Sequence, residues 1–206
     1  IMNLLVKPRL TNIQTQIIEY ELPEDAKPLF PLYDGKNSIW ISDPSAPRLW
    51  QFSLDTQEFS SYSFNGLTTT FLTQDNKGRI WFTDTPRNQI GFFDPENKQI
   101  TTKTIPKLDP VISENTPIFI QADFDGNIWI TIVNKYKILK YSPELDVFEE
   151  IIFSDRESLP FALTIDEDGN IWYSTSGSGE IGFIDPKNNQ MTQISSEVLL
   201  QAPEAL

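Results

Sequence analysis

The 206-residue chain contains no cysteine and no histidine. Without cysteine there is no disulfide, no thiolate nucleophile and no thiolate metal site. Without histidine, the commonest general base and the commonest transition-metal ligand are both missing. Basic residues are scarce: 16 Lys and Arg stand against 29 Asp and Glu, for a formal net charge of -13. An acidic surface repels phosphate backbones and anionic lipid, so neither nucleic acid nor a membrane surface is an expected partner. No apolar run reaches the roughly 18 residues of a membrane-spanning helix, and no signal peptide is visible. A membrane anchor elsewhere in a longer chain is compatible with this. Glycine and methionine are sparse, at 9 and 2 residues, while 15 prolines and 14 phenylalanines suit many short strands joined by turns.

What the chain does contain is a repeat. Ile-Trp occurs at Ile39-Trp40, Ile80-Trp81, Ile128-Trp129 and Ile171-Trp172, with the tryptophans 41, 48 and 43 residues apart. Each pair follows a turn signal: YDGKNS, DNKG, DFDGN and DEDGN. Asp bonds its own backbone in such turns and Gly accepts positive φ. A second phrase follows each tryptophan: LWQFSLDT (49–56), IGFFDPEN (90–97), ILKYSPEL (138–145) and IGFIDPKN (181–188). A third, alternating stretch comes after it, as in QITTKTI. Each repeat therefore reads as four short antiparallel strands, and four strands every forty-odd residues is the pattern of a β-propeller blade.

The expected fold is thus all-β. Whole blades lie over 28–64, 70–106, 117–153 and 160–195. The ends break the register. LLVKP (4–8) fits a third strand and TQIIEYELP (15–23) a fourth, so 1–23 reads as a partial blade; APEAL (202–206) fits the opening of another innermost strand. The chain reads as a segment of a larger propeller.

Candidate functional residues follow from this layout. Asp34, Asp75, Asp125 and Asp168 recur once per blade, and turn chemistry explains them better than metal binding; Asp94 and Asp185, before proline, are turn residues too. Asp43 and Asp84 begin the connections on the face where propellers usually bind ligands. A calcium or magnesium ion there competes with solvated charge. Ile132 and Thr175 hold the matching places in the other blades, so no carboxylate ring forms and no cofactor is assigned. The repeated tryptophans read as packing between blades, and Trp50 is off the pattern. The variable connections 43–48, 84–89, 132–137 and 175–180 bring Arg48, Arg87, Lys135, Tyr136 and Lys137 to one face of an otherwise acidic protein. Variable loops on a rigid scaffold are where recognition usually lives, so that face is the expected seat of a protein partner or small ligand.

The phrase D-x-D-G-N-I-W followed by I-G-x-[FI]-D-P closely resembles the repeat of the virginiamycin B lyase (streptogramin lyase) propellers, along essentially the whole chain. The same phrase is similar, more weakly, to repeats of periplasmic sensor propellers of two-component regulators. The resemblance implies a ring of usually seven blades. It also implies a metal-assisted elimination that opens a lactone, with histidines and a glutamate near the central channel. One such histidine lies in a Gly-Pro-His-Gly-Ile phrase opening an innermost strand. The matching phrases here are TPIFI (116–120), LPFAL (159–163) and APEAL (202–206), which put Ile118, Phe161 and Glu204 at the histidine position. Of these only Glu204 could bind a cation or move a proton, and it is kept as a candidate binding residue.

No catalytic residue is assigned within the segment. The expected function is a non-catalytic, extracytoplasmic binding or scaffolding propeller. The alternatives are a metal-dependent lyase or lactonase whose catalytic blades lie outside the segment, and a propeller that senses a small ligand.

Overall fold

A chain of short strands punctuated by Asp-Gly and Asp-Pro turns can bury its apolar residues only by stacking sheet on sheet. The computed structural model describes residues 17–107 and 115–194, and shows this stacking. The expected strand at 4–8, most of the link 107–115, and the strand opening at 202–206 with Glu204 lie outside the described residues. Among the described residues no helix is long and apolar enough to cross a membrane.

Sixteen strands form four separate antiparallel sheets among the described residues. The first is β1 (Pro31–Tyr33), β2 (Ser38–Asp43), β3 (Arg48–Ser53) and β4 (Phe59–Ser63). The second is β5 (Leu72–Gln74), β6 (Ile80–Asp84), β7 (Gln89–Asp94) and β8 (Gln99–Thr104). The third is β9 (Pro117–Ala122), β10 (Ile128–Ile132), β11 (Lys137–Ser142) and β12 (Val147–Ile152). The fourth is β13 (Pro160–Ile165), β14 (Ile171–Thr175), β15 (Ile181–Asp185) and β16 (Gln190–Ile194). In each sheet the strands pair in sequence order. The innermost strands β1, β5, β9 and β13 run side by side and mark the axis, with the sheets fanning outward as blades of an unclosed propeller.

The expected fourth strand over 15–22 is not found in its described part. Residues 17–23 run without ladder pairing and are mostly exposed. A fourth strand exists only by pairing with the third strand of its own blade, and no such partner lies among the described residues. Tyr20 instead packs on Phe52, with ring centroids 4.7 Å apart.

One carboxylate organises each blade, and it corrects the expected assignment. In the third and fourth blades the turn is closed by Asp123 and Asp166, two residues before the expected Asp125 and Asp168. Asp123 Oδ1 accepts the amide of Asn127 at 2.8 Å, and its Oδ2 accepts Trp129 Nε1 at 2.9 Å. Asp166 does the same with Asn170 at 2.8 Å and Trp172 Nε1 at 2.7 Å. Asp75 holds the Arg79 amide and Trp81 Nε1, the latter at 2.7 Å. Asp125 and Asp168 are exposed on the same turns. The reason is reach: only the first residue of the turn lies beneath the indole six residues on. In the first blade Asp34 accepts three amides, from Lys36, Asn37 and Ser38, but Trp40 Nε1 stays outside hydrogen-bond geometry. Asp94 and Asp185 cap the outer hairpins as expected, each through Oδ1 to the amide two residues on, at 2.9 Å.

The anchored tryptophans pack between blades. Trp40 meets Phe93 of the second blade at 5.6 Å, and Trp81 meets Tyr141 of the third at 6.1 Å. Trp129 is buried with Tyr173 and Ile184 of the fourth. Below them runs a second link. In the first three blades a hydroxyl two residues after the tryptophan accepts an amide of its own innermost segment and donates to a carbonyl of the next blade. Ser42 Oγ accepts from Phe30 and donates to Thr70 O at 2.7 Å. Thr83 Oγ1 accepts from Phe71 and donates to Ile118 O at 2.9 Å. Thr131 Oγ1 accepts from Phe119 and donates to Phe161 O at 3.0 Å.

Trp50 also finds a place. The register pairs it with Ile41, as Leu139 pairs with Ile130, Gly91 with Phe82, and Gly182 with Tyr173. A large residue on the second strand thus faces glycine on the third, and isoleucine faces a large one. A Cβ on Gly91 would sit 2.5 Å from Phe82 Cζ, and one on Gly182 would sit 2.5 Å from the Tyr173 hydroxyl.

Two expected outcomes follow from these contacts. Asp123→Ala should lower the unfolding free energy by about 2 kcal/mol, because it strands a buried indole N–H and a turn amide. Asp125→Ala on the same turn should stay within about 0.5 kcal/mol. Urea titrations of the two variants check this, and equal midpoints would refute it. Gly91→Leu should cost about 3 kcal/mol by overpacking. Adding Phe82→Ile, which rebuilds the pair of the third blade, should recover a coupling energy above about 1 kcal/mol in a double-mutant cycle.

Candidate functional site

Two regions could carry function: the axis and the face built by the connections from second to third strands. The axis is lined by half-buried phenylalanines, one from each innermost segment. Phe71 stacks on Phe119 at 4.0 Å, Phe30 meets Phe71 edge-on at 5.3 Å, and Phe161 meets Phe119 at 5.5 Å. Inward-pointing aromatics make this side of the channel apolar, suited to exclude water or hold an apolar group. Sequence reasoning did not single out this set. The signal was present: Phe30, Phe71 and Phe119 each precede a repeat tryptophan by ten residues.

On the connection face the first two blades carry buried carboxylates. The expectation of solvated charge at Asp43 and Asp84 is corrected: both are fully buried. Asp43 accepts Arg48 Nε at 2.9 Å, Trp50 Nε1 at 3.2 Å, the Ser45 hydroxyl at 2.6 Å and the Lys27 amide at 3.3 Å. Asp84 accepts Gln89 Nε2 at 2.7 Å, Arg87 Nη1 at 3.2 Å and the Thr68 hydroxyl. These donors make the burial tolerable, since a buried carboxylate survives only when paired and hydrogen-bonded. In the fourth blade Thr175 plays the neutral version, accepting the Glu180 amide at 2.9 Å. In the third, Ile132 simply joins the core.

The expected recognition residues do lie on these connections, but they are not gathered into a free basic patch. Arg48 spends its guanidinium on Asp43 and on Asp25, at 2.7 Å from Nη1, and lies over the Trp50 ring. Lys135 and Lys137, expected on the surface, are buried at 2 % and 9 % exposure, and Lys137 pairs with Glu150. The cause is local. Val133–Lys135 forms one turn of 3-10 helix, closed by Tyr136 in the left-handed region at φ 45°, and this folds the lysines inward. Tyr136 is half-buried, with Arg156 5.8 Å above its ring. Arg87 keeps 46 % of its side chain exposed while holding Asp84.

Neither region offers a ready metal centre. Among the described residues no three carboxylates converge as a ligand set. The buried pair Asp43 and Asp84 already face Arg, Gln, Trp and hydroxyl donors, and such N–H donors repel a cation. The residues described here therefore do not fit the divalent ion that the resemblance implies.

The Asp43 carboxyl has a distinct pH signature. Burial pushes its pKa up, but the donors from Ser45, Arg48, Trp50 and Lys27 outweigh this and hold it below the usual carboxylate range. A depressed native pKa means the unfolded chain binds the proton first. The stability Asp43 contributes is full well above its unfolded pKa near ~3.9 and is lost as pH falls through the native value. Asp43→Asn should therefore be less stable than the parent at neutral pH yet lose less further stability between about pH 5 and pH 3. Urea midpoints measured across that window check it; parallel curves would refute it.

Comparison with known proteins places this geometry. The chain superposes on a catalytically inactive His-to-Ala variant of virginiamycin B lyase from Staphylococcus aureus solved with quinupristin. The TM-score is 0.82 at 21 % identity, over 94 % of this chain and 64 % of that one. It superposes on a second streptogramin B lyase with TM-score 0.81 at 22 % identity, over 92 % and 62 % of the two chains. The extracellular domain of a putative hybrid two-component system from B. thetaiotaomicron matches with TM-score 0.65 at 20 % identity, over 87 % of this chain and 26 % of that one. The chain thus spans less than two thirds of the lyases it resembles, and a search of curated protein sequences finds no match. The model of the Virginiamycin B lyase family matches residues 8–199, and the chain belongs to that family.

Proposed function

We propose that these residues form the ring-building arc of a metal-dependent lyase or lactonase of the streptogramin type, with the groups that perform the elimination on blades outside them. The observation that carries this reading is the match of nearly the whole chain to a lyase solved with quinupristin. In this reading the four blades hold the ring's curvature, through the indole packing and hydroxyl bridges. Their phenylalanines supply an apolar wall for the channel. The base and the metal site come from elsewhere, because this arc has no histidine and its buried carboxylates are already saturated with donors.

A second reading is a non-catalytic, extracytoplasmic binding scaffold. It is favoured by the apolar Ile118 and Phe161 at two places where the resemblance puts histidine. Its partner, a protein or a small ligand, would dock on the connection face, where Arg87 is the expected basic residue that remains well exposed. A sensing role is the variant of this reading supported by the match to the extracellular domain of a putative hybrid two-component system.

The two readings separate in one assay. The 206-residue chain alone, given quinupristin and magnesium, should leave the lactone closed, since loss of a positioned base alone removes about 10²–10⁴ in rate. A chain carrying the remaining blades should open it on the lyase reading and leave it closed on the scaffold reading. Chromatography of the linearised product gives the answer. Turnover by the 206 residues alone, abolished by Glu204→Gln, would overturn both.

A further inference from the structure

The outer halves of neighbouring blades meet in grooves, and the groove between the second and third blades departs from the repeat at three places. The first is on the fourth strand. Opposite Leu49, Ile90, Ile138 and Ile181 stand Tyr62, Lys103, Ile151 and Ile194 in turn, so Lys103 is the charged member of the set. In the first blade Tyr62 packs on Trp40 and on Phe93 of the second blade, at 5.8 and 4.7 Å, and fills the groove. In the third, Ile151 is buried in the cluster shared with the fourth blade. The second departure is on the third strand. Opposite Ile39, Ile80, Ile128 and Ile171 stand Phe52, Phe93, Tyr141 and Ile184, and Tyr141 alone carries a hydroxyl. The third is in the outer hairpin. Its left-handed residue is Gln57, Lys98, Asp146 or Asn189, and Asp146 alone is acidic.

These three side chains meet. Asp146 accepts the Tyr141 hydroxyl at 2.8 Å and Lys103 Nζ at 2.6 Å. Beside them is a cavity of about 180 Å³, floored by Trp81, Phe92 and Tyr141. A lysine has replaced the side chain that fills the first groove, and a hydroxyl and a carboxylate have been added at the same spot. We propose that this cavity binds a single aromatic ring bearing a hydroxyl, a phenol-type ligand, with that hydroxyl between Asp146 and Lys103. The size agrees, since an apolar cavity of about 150 Å³ takes up a benzene-sized ring. The floor agrees, since aromatic rings pair well with a flat ring set offset or edge-on. The mouth agrees too: a hydroxyl donates to a carboxylate and accepts from an ammonium, so one group answers both. A sugar ring carries hydroxyls around its edge. Those turned toward Trp81 and Phe92 would go unpaired, because the Trp81 indole N–H is spent on Asp75. The site lies on the outer strands, apart from the phenylalanines of the axis.

The test is a phenol titration of the chain, followed at the Trp81 indole N–H resonance, which Trp81→Phe assigns. A saturable shift is expected. Lys103→Tyr, which rebuilds the filled groove of the first blade, should abolish it. Lys103→Ile, the residue of the third blade, should do the same and serves if the tyrosine variant fails to fold. Toluene keeps the ring without the hydroxyl and should bind at least about tenfold more weakly, as should phenol to Asp146→Asn. The absence of any shift with phenol overturns the proposal. So does binding that survives both Lys103 variants, which would put the ring elsewhere on the protein. Equal affinity for toluene removes the role of Asp146 and Lys103 and sinks the assignment. Tighter binding of methyl glucoside than of phenol would make this a sugar site instead.

Discussion

The structure depends on one bond repeated in three of the four described blades, from an indole N–H to a turn carboxylate six residues earlier. The carboxylate has two jobs at once. Its first oxygen satisfies amides that a tight turn would otherwise leave unpaired, and its second fixes the plane of the tryptophan. A fixed indole plane is what the neighbouring blade packs against. The local chemistry of a turn is thereby converted into the spacing between sheets. Asp166 shows the strength of the arrangement: the Trp172 indole, followed by Asn170, holds its carboxyl below the usual range. The first blade shows what happens when the turn is rebuilt. Glycine moves next to Asp34 and the amides are still capped, but Trp40 Nε1 makes no well-formed hydrogen bond, though the indole still helps hold the Asp34 carboxyl below its usual range, and the ring packs on Phe93 and Tyr62.

Within each blade, volume is conserved across a strand pair and not at single positions. Phe82 opposite Gly91 and Tyr173 opposite Gly182 use the same space as Ile41 opposite Trp50 and Ile130 opposite Leu139. This explains why the Ile-Gly-Phe phrase appears in only two of the four blades. Close packing penalises both a cavity and an overlap, so substitution at one member is tolerated only when the other follows. A fifth tryptophan that looks out of pattern in the sequence is thus the third-strand half of an inverted pair.

Most of the fold was legible in the sequence, because period, turn chemistry and strand alternation all point the same way. The four sheets run from Pro31 to Ser63, Leu72 to Thr104, Pro117 to Ile152 and Pro160 to Ile194. The misplacement of the turn aspartate by two residues in the third and fourth blades came from reading Asp beside Gly as the structural residue. The constant six-residue interval from Asp75, Asp123 and Asp166 to the tryptophan would have chosen correctly. The site was much less legible. Charged residues on loops were expected to face water, but Asp43 and Asp84 are buried and Lys135 is folded under a helical turn. Composition cannot reveal this, since it depends on whether donors from distant segments, such as the Lys27 amide or Thr68, arrive at the same place.

That arrival also bears on chemistry. The position three residues after the tryptophan holds Asp, Asp, Ile and Thr in successive blades, and a lyase-like ring could in principle use it for ligand binding. In the first two blades the aspartates instead clamp the connection that follows them, with Arg48 and Trp50 in one case and Arg87 and Gln89 in the other. A carboxylate committed to cationic and N–H donors has neither the free lone pairs nor the local potential to bind a metal ion. Rigid connections are the gain. They keep one rim of the channel fixed, so groups contributed from beyond this arc would meet an invariant apolar wall of Phe30, Phe71, Phe119 and Phe161. On the reading proposed above, an arc that supplies shape and exclusion of water, with charge movement left to other blades, fits both the fold shared with the lyases and the absence of histidine from these residues.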